Sequence, residues 1–238
     1  MTALMTGELI KTRTTRTLFA YAASAVALAV GNALILILSK DLVTTADKQE
    51  AIAGLPVMLL LLGLVGAAGE YRHRTAAPAV LAAGRGRGRL LLARAGAYAV
   101  VGLAVGALTS AASLVVGLPL LGHEPGPGVG IGVILSVAAG NILGSALCAI
   151  MGVAAGALVR NQVVGVVGAL ILMFVVTPLL NLVNETAVAY SPLGAAVVLA
   201  GDPSVASLSR GGAALVLTAW VAAALLAALL AEQRRDLA

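Results

Sequence analysis

The sequence is poor in the residues on which soluble and disulfide-bonded domains depend. It has one cysteine, Cys148, and two histidines in 238 residues. A single cysteine excludes an internal disulfide, and Cys148 lies in an apolar run where a buried, inert thiol is expected. Aromatic residues make up 3% of the chain and charged residues 11%. So little charge cannot solvate the surface of a soluble domain, so lipid must surround most of the chain.

The motifs of common enzymes are also missing. No G-x-x-x-x-G-K-[ST] occurs and no lysine follows a glycine, so the chain has no P-loop for a nucleotide. It has no H-E-x-x-H and no Cys/His cluster, and His73 and His123 are predicted on opposite sides of a membrane. We therefore expect no catalytic residue, no cofactor and no metal site in this chain.

Long apolar runs are what the sequence does contain. Hydrophobic residues make up 61% of the chain, and its mean hydropathy is +1.05. Stretches near the roughly 20 residues that cross a bilayer predict an all-α membrane protein with transmembrane helices at 17–39, 51–69, 95–121, 129–159, 163–183 and 212–231. Abundant Ala and Gly allow such helices to pack closely. Pro56 and Pro178 are expected to perturb the second and fifth spans.

Two stretches need separate interpretation, one at the N-terminus and one before the last span. The basic residues before the first run resemble a signal peptide, but the run at 18–39 is too long and no A-x-A site follows it cleanly. We interpret it as a retained span, preceded by an interfacial helix at 1–16. The stretch at 186–200 is short and interrupted by Ser191 and Pro192. It predicts a re-entrant helical hairpin within an external segment at 185–211.

The distribution of Lys and Arg predicts the orientation. With the N-terminus inside, the inner segments carry 12 of the 15 basic residues and the outer segments carry Lys40, Lys48 and Arg210. Six spans also place both basic termini on that side. We therefore predict cytoplasmic N- and C-termini and one substantial cytoplasmic loop, at 70–89.

Together with Gly69 before it, that loop reads "GEYRHRTAAPAVLAAGRGRGR". It has three possible interpretations. Its arginines fix the topology and contact anionic lipid headgroups. A nucleic-acid segment is disfavoured because no aromatic residues are interleaved and both ends are tethered, so we expect no nucleic-acid partner. The third interpretation is a docking element, with a short helix at 76–83 lying along the membrane.

Three motifs in register give the chain a family resemblance. "GEYRHRT…VLAAGRGRGRLLLAR" resembles the cytoplasmic loop of permease subunits of ABC exporters of the type-2 class. "ELIKTRTTRT" at 8–17 is similar to the N-terminal segment of that family, and "AYSPLGAAVVLA" at 189–200 to its broken external helix. The resemblance covers the whole chain in order.

The resemblance implies how such a chain works. Two permease chains, either two copies or a copy and a paralogue, form the membrane part, and two separate ATPase subunits bind Mg-ATP below them. The loop at 70–89, with its short cytoplasmic coupling helix, transmits the ATPase movement. The resemblance assigns ATPase coupling to Glu70, Tyr71, Arg72, His73, Arg74, Thr75, Arg85, Arg87 and Arg89. Charged groups there would pair with an acidic partner surface.

Polar residues within the predicted spans are candidates for a substrate pathway. They are Asn32, Asn141, Thr177, Asn181 and Asn184. Hydrogen bonding between helices is the alternative, and we favour it for Asn32 and Asn141. For Asn181 and Asn184, lining an exit and solvating a helix end remain equally open.

The prediction is thus an ATP-driven exporter permease of a bacterial plasma membrane. Its cargo would be amphiphilic, lipid-like, a drug or a peptide. No charged residue lies in the middle of a span, which disfavours the first alternative, a secondary transporter. The second alternative is a non-transport immunity or assembly membrane protein without an ATPase.

Overall fold

The computed structural model describes residues 2–39, 42–72, 86–203 and 208–234. Within these ranges the chain is helical and contains no β-strand, which confirms the predicted all-α class. The helices are α1 (Thr2–Thr14), α2 (Arg16–Ser39), α3 (Thr45–Ile52), α4 (Val57–Arg72), α5 (Arg87–Leu121), α6 (Ile131–Val159), α7 (Gln162–Ile171), α8 (Thr177–Val183), α9 (Glu185–Ala189), α10 (Pro192–Leu199) and α11 (Arg210–Arg234). The predicted coupling helix at 76–83 lies outside the described residues.

Six helical stretches of the described chain are long and apolar enough to cross a membrane, as predicted. They are α2, α3 with α4, α5, α6, α7 through α8, and α11. The stretch of α3 and α4 is the most buried and lies at the centre, packed mainly on α6. In contrast, α2, α11 and the α7–α8 stretch expose most of their apolar surface, as lipid-facing helices do.

Glycines bring the central helices into close contact. A Cβ atom on Gly152 of α6 would lie 2.0 Å from the carbonyl oxygen of Leu60 in α4. At Gly63 of α4 the corresponding distance to the Ala149 oxygen is 2.2 Å. Only glycine fits at these positions, because the two backbones approach too closely for any side chain.

The second candidate span is longer than predicted and is broken. It begins at Thr45 rather than residue 51, and α3 and α4 are separated by residues 53–56. Pro56 lies in this break, as expected from its missing N–H group. The backbone N–H of Gly54 donates to the Ala200 carbonyl oxygen over 3.3 Å, which satisfies a polar group that the break would otherwise leave open.

The helical stretch extends ahead of the predicted span because charged residues fold into α3. Thr44 accepts a hydrogen bond from the backbone N–H of Asp47, and the Asp47 carboxylate accepts one from that of Thr44, which forms a capping box. Lys48 is 2% exposed, and its ammonium donates to the Glu124 carbonyl oxygen over 3.1 Å. Capping and burial therefore extend the helix beyond its apolar run.

The third candidate span also begins earlier than predicted. Helix α5 starts at Arg87 instead of residue 95, so Arg89 and Arg94 are helical. Arg94 is 4% exposed and is paired with carboxylates. A buried arginine is stable where acidic partners compensate its charge, and sequence alone does not show such partners.

The fifth candidate span contains the expected perturbation near Pro178. The chain widens into a π-helical turn at Leu172–Val176, and the Thr177 hydroxyl donates to the Leu172 carbonyl oxygen over 2.8 Å. A π turn accommodates the proline, whose ring would clash with a carbonyl in a regular α-helix.

The segment before α11 is broken at Ser191. Ser191 ends the turn after α9, and its hydroxyl oxygen accepts a hydrogen bond from the Gly194 N–H over 3.0 Å, with Pro192 at the first position of α10. Helix α10 is buried against α11 and α6. Gly140 of α6 allows this approach, since a Cβ atom there would lie 1.9 Å from the Leu199 oxygen.

Candidate functional site

One end of the helical bundle collects most of the buried charge. We call it the terminal end, because α1 and the end of α11 meet the ends of α4, α5 and α6 there. The opposite, distal end carries Lys48 and Glu124. Two groups of side chains define the terminal end: the inner cluster of Glu8, Lys11, Glu70 and Arg94, and the tyrosine cluster of Tyr71, Arg160 and Glu232.

The inner cluster joins three helices around Glu70. The Arg94 guanidinium and the Lys11 ammonium each donate to a different carboxylate oxygen of Glu70. Arg94 Nε also lies 3.3 Å from a carboxylate oxygen of Glu8. Two acids and two bases thus balance each other in a buried setting, which is the condition under which buried charges are tolerated.

Lys11 is the member of the inner cluster that reaches the surface. Its side chain is 47% exposed, whereas that of Glu70 is 5% exposed. Partial burial lowers the pKa of Lys11 from its ordinary value of 10.5, the Glu8 carboxylate raises it, and Arg94 lowers it further. The ammonium is therefore the accessible charge of this cluster.

The tyrosine cluster joins α4, α6 and α11. The Tyr71 hydroxyl donates to the Glu232 carboxylate, and Arg160 Nη2 lies 3.1 Å from the same oxygen. The Arg160 guanidinium also stacks 5.0 Å from the centre of the Tyr71 ring, a cation–π distance. Arg160 ends α6 in the left-handed region at φ 54°, which turns the chain towards α7.

The predicted coupling residues that the structure describes do not all lie in one cluster. Glu70 and Tyr71 point into the two clusters, while Arg72 and Arg89 are exposed. An Arg72 nitrogen donates to the Gln162 side chain over 3.4 Å, which links the end of α4 to the start of α7. Of the remainder, Arg87 is described only as the first residue of α5. His73, Arg74, Thr75 and Arg85 lie outside the described residues.

Several members of both clusters were not predicted from the sequence. Glu8 and Lys11 were assigned only to an interfacial helix, and Glu232 received no role. Arg160 was counted solely as a topology signal. Arg160 and Glu232 adjoin predicted spans, whereas Glu8 and Lys11 lie several residues before the first one. A search for oppositely charged residues at the same predicted end would have brought them together.

A cavity of about 380 Å³ lies beside the inner cluster. It is bounded by α1, the start of α2, the second half of α4, and α5. Glu8, Lys11, Glu70 and Arg94 line its polar side. Leu18, Leu62 and Val65 line its apolar side. The terminal end therefore contains an amphiphilic cavity that joins a charged surface to the apolar interior.

Asn141 takes part in packing between helices, the role that we favoured. It is 1% exposed, and its amide nitrogen donates to the hydroxyl oxygens of Thr109 and Ser110 in α5 over 3.1 and 2.8 Å. A Cβ atom on Gly54 would lie 1.9 Å from the Asn141 oxygen, so Gly54 provides the space for this side chain. Asn141 thus ties α6 to α5 and to the break between α3 and α4.

The other predicted pathway residues are not gathered around Asn141. Asn32 is half-buried on α2, and Thr177 bonds to its own helix. Asn181 and Asn184 are exposed, and the Asn184 side chain caps α9 by accepting from the N–H groups of Thr186 and Ala187 over 2.9 and 3.2 Å. The cap explains Asn184 locally, as a residue that solvates a helix end.

The described part of the chain offers no group of three or more His, Cys, Asp or Glu side chains able to hold a metal ion. Cys148 is buried in the core.

The fold defines the class of protein: over the described residues the chain is all-helical, and its six long apolar helical stretches are consistent with a multi-pass membrane protein. No protein-family profile matches the chain, and no curated protein sequence matches it.

Proposed function

We propose that the chain is the membrane-spanning permease subunit of an ATP-driven exporter of the type-2 ABC class. Separate ATPase subunits would bind Mg-ATP and drive an amphiphilic, lipid-like, drug or peptide substrate out across a bacterial plasma membrane. The observation that carries the proposal is the inner cluster, which anchors the start of the predicted coupling loop to α1 and α5.

The clusters offer a route for movement from the loop to the bundle. Arg72 ends α4, so a force on the following loop acts first on the turn that holds Glu70 and Tyr71. Glu70 is paired with α1 and α5, and Tyr71 with α6 and α11 through Glu232 and Arg160. Because separating buried pairs costs about 3–5 kcal/mol, these five helix ends should move as a unit.

The exposed arginines favour the terminal end as the ATPase-facing surface. Arg72 and Arg89 flank the loop and are solvent-accessible. Together with the excess of Lys and Arg in the same segments, they support a cytoplasmic terminal end. The interfacial placement of α1 and the re-entrant placement of α9 and α10 belong to the same proposal.

A second permease copy, or a paralogue, is the proposed membrane partner. The outer helices α2 and α7 through α8 carry large exposed apolar side chains, among them Phe19, Ile35, Phe174 and Leu182. Lipid covers part of this surface, and a partner helix would cover the rest.

The test is purification of a tagged chain from its native membrane with the ATPase encoded beside it. We expect a stable complex that hydrolyses ATP and exports substrate in vesicles. Glu70→Gln should uncouple the complex: ATP hydrolysis continues while export falls at least about tenfold, since the end of α4 loses its link to α1. Arg13→Gln is the control. It removes an exposed charge from α1, the helix that carries Lys11, and leaves the inner cluster intact.

Two outcomes would refute the proposal. One is a chain that purifies alone and transports in response to an ion gradient without ATP, which is the behaviour of a secondary transporter. The other is a complex whose export is the same with Glu70→Gln as with the wild type.

A further inference from the structure

The cavity at the terminal end has the composition of a site for a small amphiphile. Its volume of about 380 Å³ lies within the range of roughly 300–1,000 Å³ typical of ligand sites. Charged side chains form one side, and Leu18, Leu62 and Val65 form the other. A water-soluble ion would leave the apolar side uncovered, and a hydrocarbon would place apolar groups against charged side chains.

Burial decides the sign of the charge that the cavity accepts. The Glu8 and Glu70 side chains are 10% and 5% exposed and are both paired with Arg94. The Lys11 side chain is 47% exposed, and one of its partners is Glu70. An ammonium has three N–H donors, so Lys11 can hold a further acceptor while it remains paired. The accessible charge is thus positive, and it suits an anionic group.

The first turn of α2 borders the same space. Thr15 and Thr17 line the cavity on either side of Arg16, the first residue of α2. The amino-terminal end of a 24-residue helix adds partial positive charge next to Lys11. A phosphate group placed between them would meet an ammonium and a helix end.

The aliphatic residues among the rest of the lining, which also includes Thr12, Tyr98 and Gln162, fit a hydrocarbon chain. Leu18 belongs to α2, and Leu62, Val65 and Gly66 to α4, so the apolar side lies between two candidate transmembrane helices. The charged side lies at their terminal end. This is the order of headgroup and acyl chain in one leaflet of a bilayer.

We propose that this cavity binds a phospholipid with an anionic headgroup. Its phosphate contacts Lys11 and the start of α2, and the first part of one acyl chain lies against Leu18, Leu62 and Val65. The lipid fills the space between α1, α2 and α4 and holds α1 against the bundle. The inference needs only a membrane environment and is independent of any ATPase.

The chain offers a matched pair of substitutions to test the site. Gly69 lines the cavity, and a Cβ atom there would meet no atom within 4 Å, so Gly69→Leu fills the space without a clash at Cβ. Gly168 of α7 is also free of neighbours within 4 Å but lies outside the cavity, so Gly168→Leu makes the same change elsewhere. Both variants gain equally in helix propensity.

The measurement is native mass spectrometry of the purified full chain titrated with phosphatidylglycerol or with phosphatidylcholine of the same acyl chains. We expect phosphatidylglycerol to bind at least about tenfold more tightly. Gly69→Leu should weaken its binding at least about tenfold, while Gly168→Leu leaves it unchanged. Lys11→Gln should remove the preference for phosphatidylglycerol and retain the binding that both lipids share.

Three results would overturn the proposal. Equal binding by Gly69→Leu and Gly168→Leu would place the lipid elsewhere. Equal affinity for the two lipids in the wild type would exclude recognition of an anionic headgroup. A rise in the thermal unfolding midpoint with inorganic phosphate as large as that with phosphatidylglycerol would identify a site for a free anion instead of a lipid.

Discussion

Removing Arg94 should destabilise the protein strongly, and removing Glu70 as well should add little to that loss. Arg94 is 4% exposed and is the partner of both Glu70 and Glu8. Truncating one member of a buried pair costs about 3–5 kcal/mol. We expect about 3 kcal/mol for Arg94→Met, the lower limit, because Lys11 still compensates Glu70.

Glu70→Gln should cost less, about 2 kcal/mol, because Arg94 keeps Glu8 as a partner and Lys11 can turn to solvent. In the double variant one acid and one base remain, Glu8 and Lys11, so the cluster stays neutral. The double variant should therefore be more stable than the sum of the single losses by about 2 kcal/mol.

The assay is unfolding of the purified protein in detergent. Circular dichroism reports loss of helix, and Trp220, the single tryptophan, reports the region where its indole N–H donates to the Tyr190 carbonyl oxygen over 3.0 Å. Arg89→Met is the matched control: it removes an exposed arginine from the same helix and should cost less than about 1 kcal/mol. Equal losses for Arg94→Met and Arg89→Met, or strictly additive single losses, would refute the buried-pair reasoning.

Three further substitutions test the packing of the bundle, each by the same unfolding assay. Gly152→Ala should lower the stability by at least about 2 kcal/mol, because its methyl group would meet a backbone oxygen of α4. Its control, Gly132→Ala, would meet no atom within 4 Å and should raise the stability by about 0.5–1 kcal/mol. Similar effects of the two substitutions would contradict the close approach of α4 and α6. Tyr71→Phe should cost about 1–2 kcal/mol by removing a hydroxyl donor from a buried carboxylate, and a neutral result would exclude that bond. Asn141→Ala should cost about 1 kcal/mol through its lost bonds to α5, and a gain in stability would argue against them.

The apolar runs were sufficient to predict the helices because helix length and hydropathy are properties of the chain itself. Pro56 and Pro178 indicated the break before α4 and the π turn before α8, since proline lacks the N–H that a helix needs. The interhelical role of Asn141 followed in the same way from the cost of an unpaired amide in lipid.

Two helical stretches extend beyond the predicted spans where charge is buried. Lys48 and Arg94 were placed outside spans because their charges oppose burial, but each has acceptors in distant parts of the chain. Such acceptors are fixed by tertiary packing, which a single sequence does not reveal. For the same reason the sequence does not show which acid pairs with which base, such as Glu8 with Arg94 and Glu232 with Arg160.

Site-directed cross-linking tests the proposed function most directly. In a Cys148→Ala background, Arg72→Cys places a single cysteine at the exposed terminal end, and His123→Cys places one at the exposed distal end. We expect a reagent with one thiol-reactive and one amine-reactive end to join Arg72→Cys, but not His123→Cys, to lysines of the ATPase subunit in native membranes, with a yield that changes when ATP is added. No cross-link from Arg72→Cys, or equal cross-linking from both ends, would contradict the assignment of the terminal end to an ATPase.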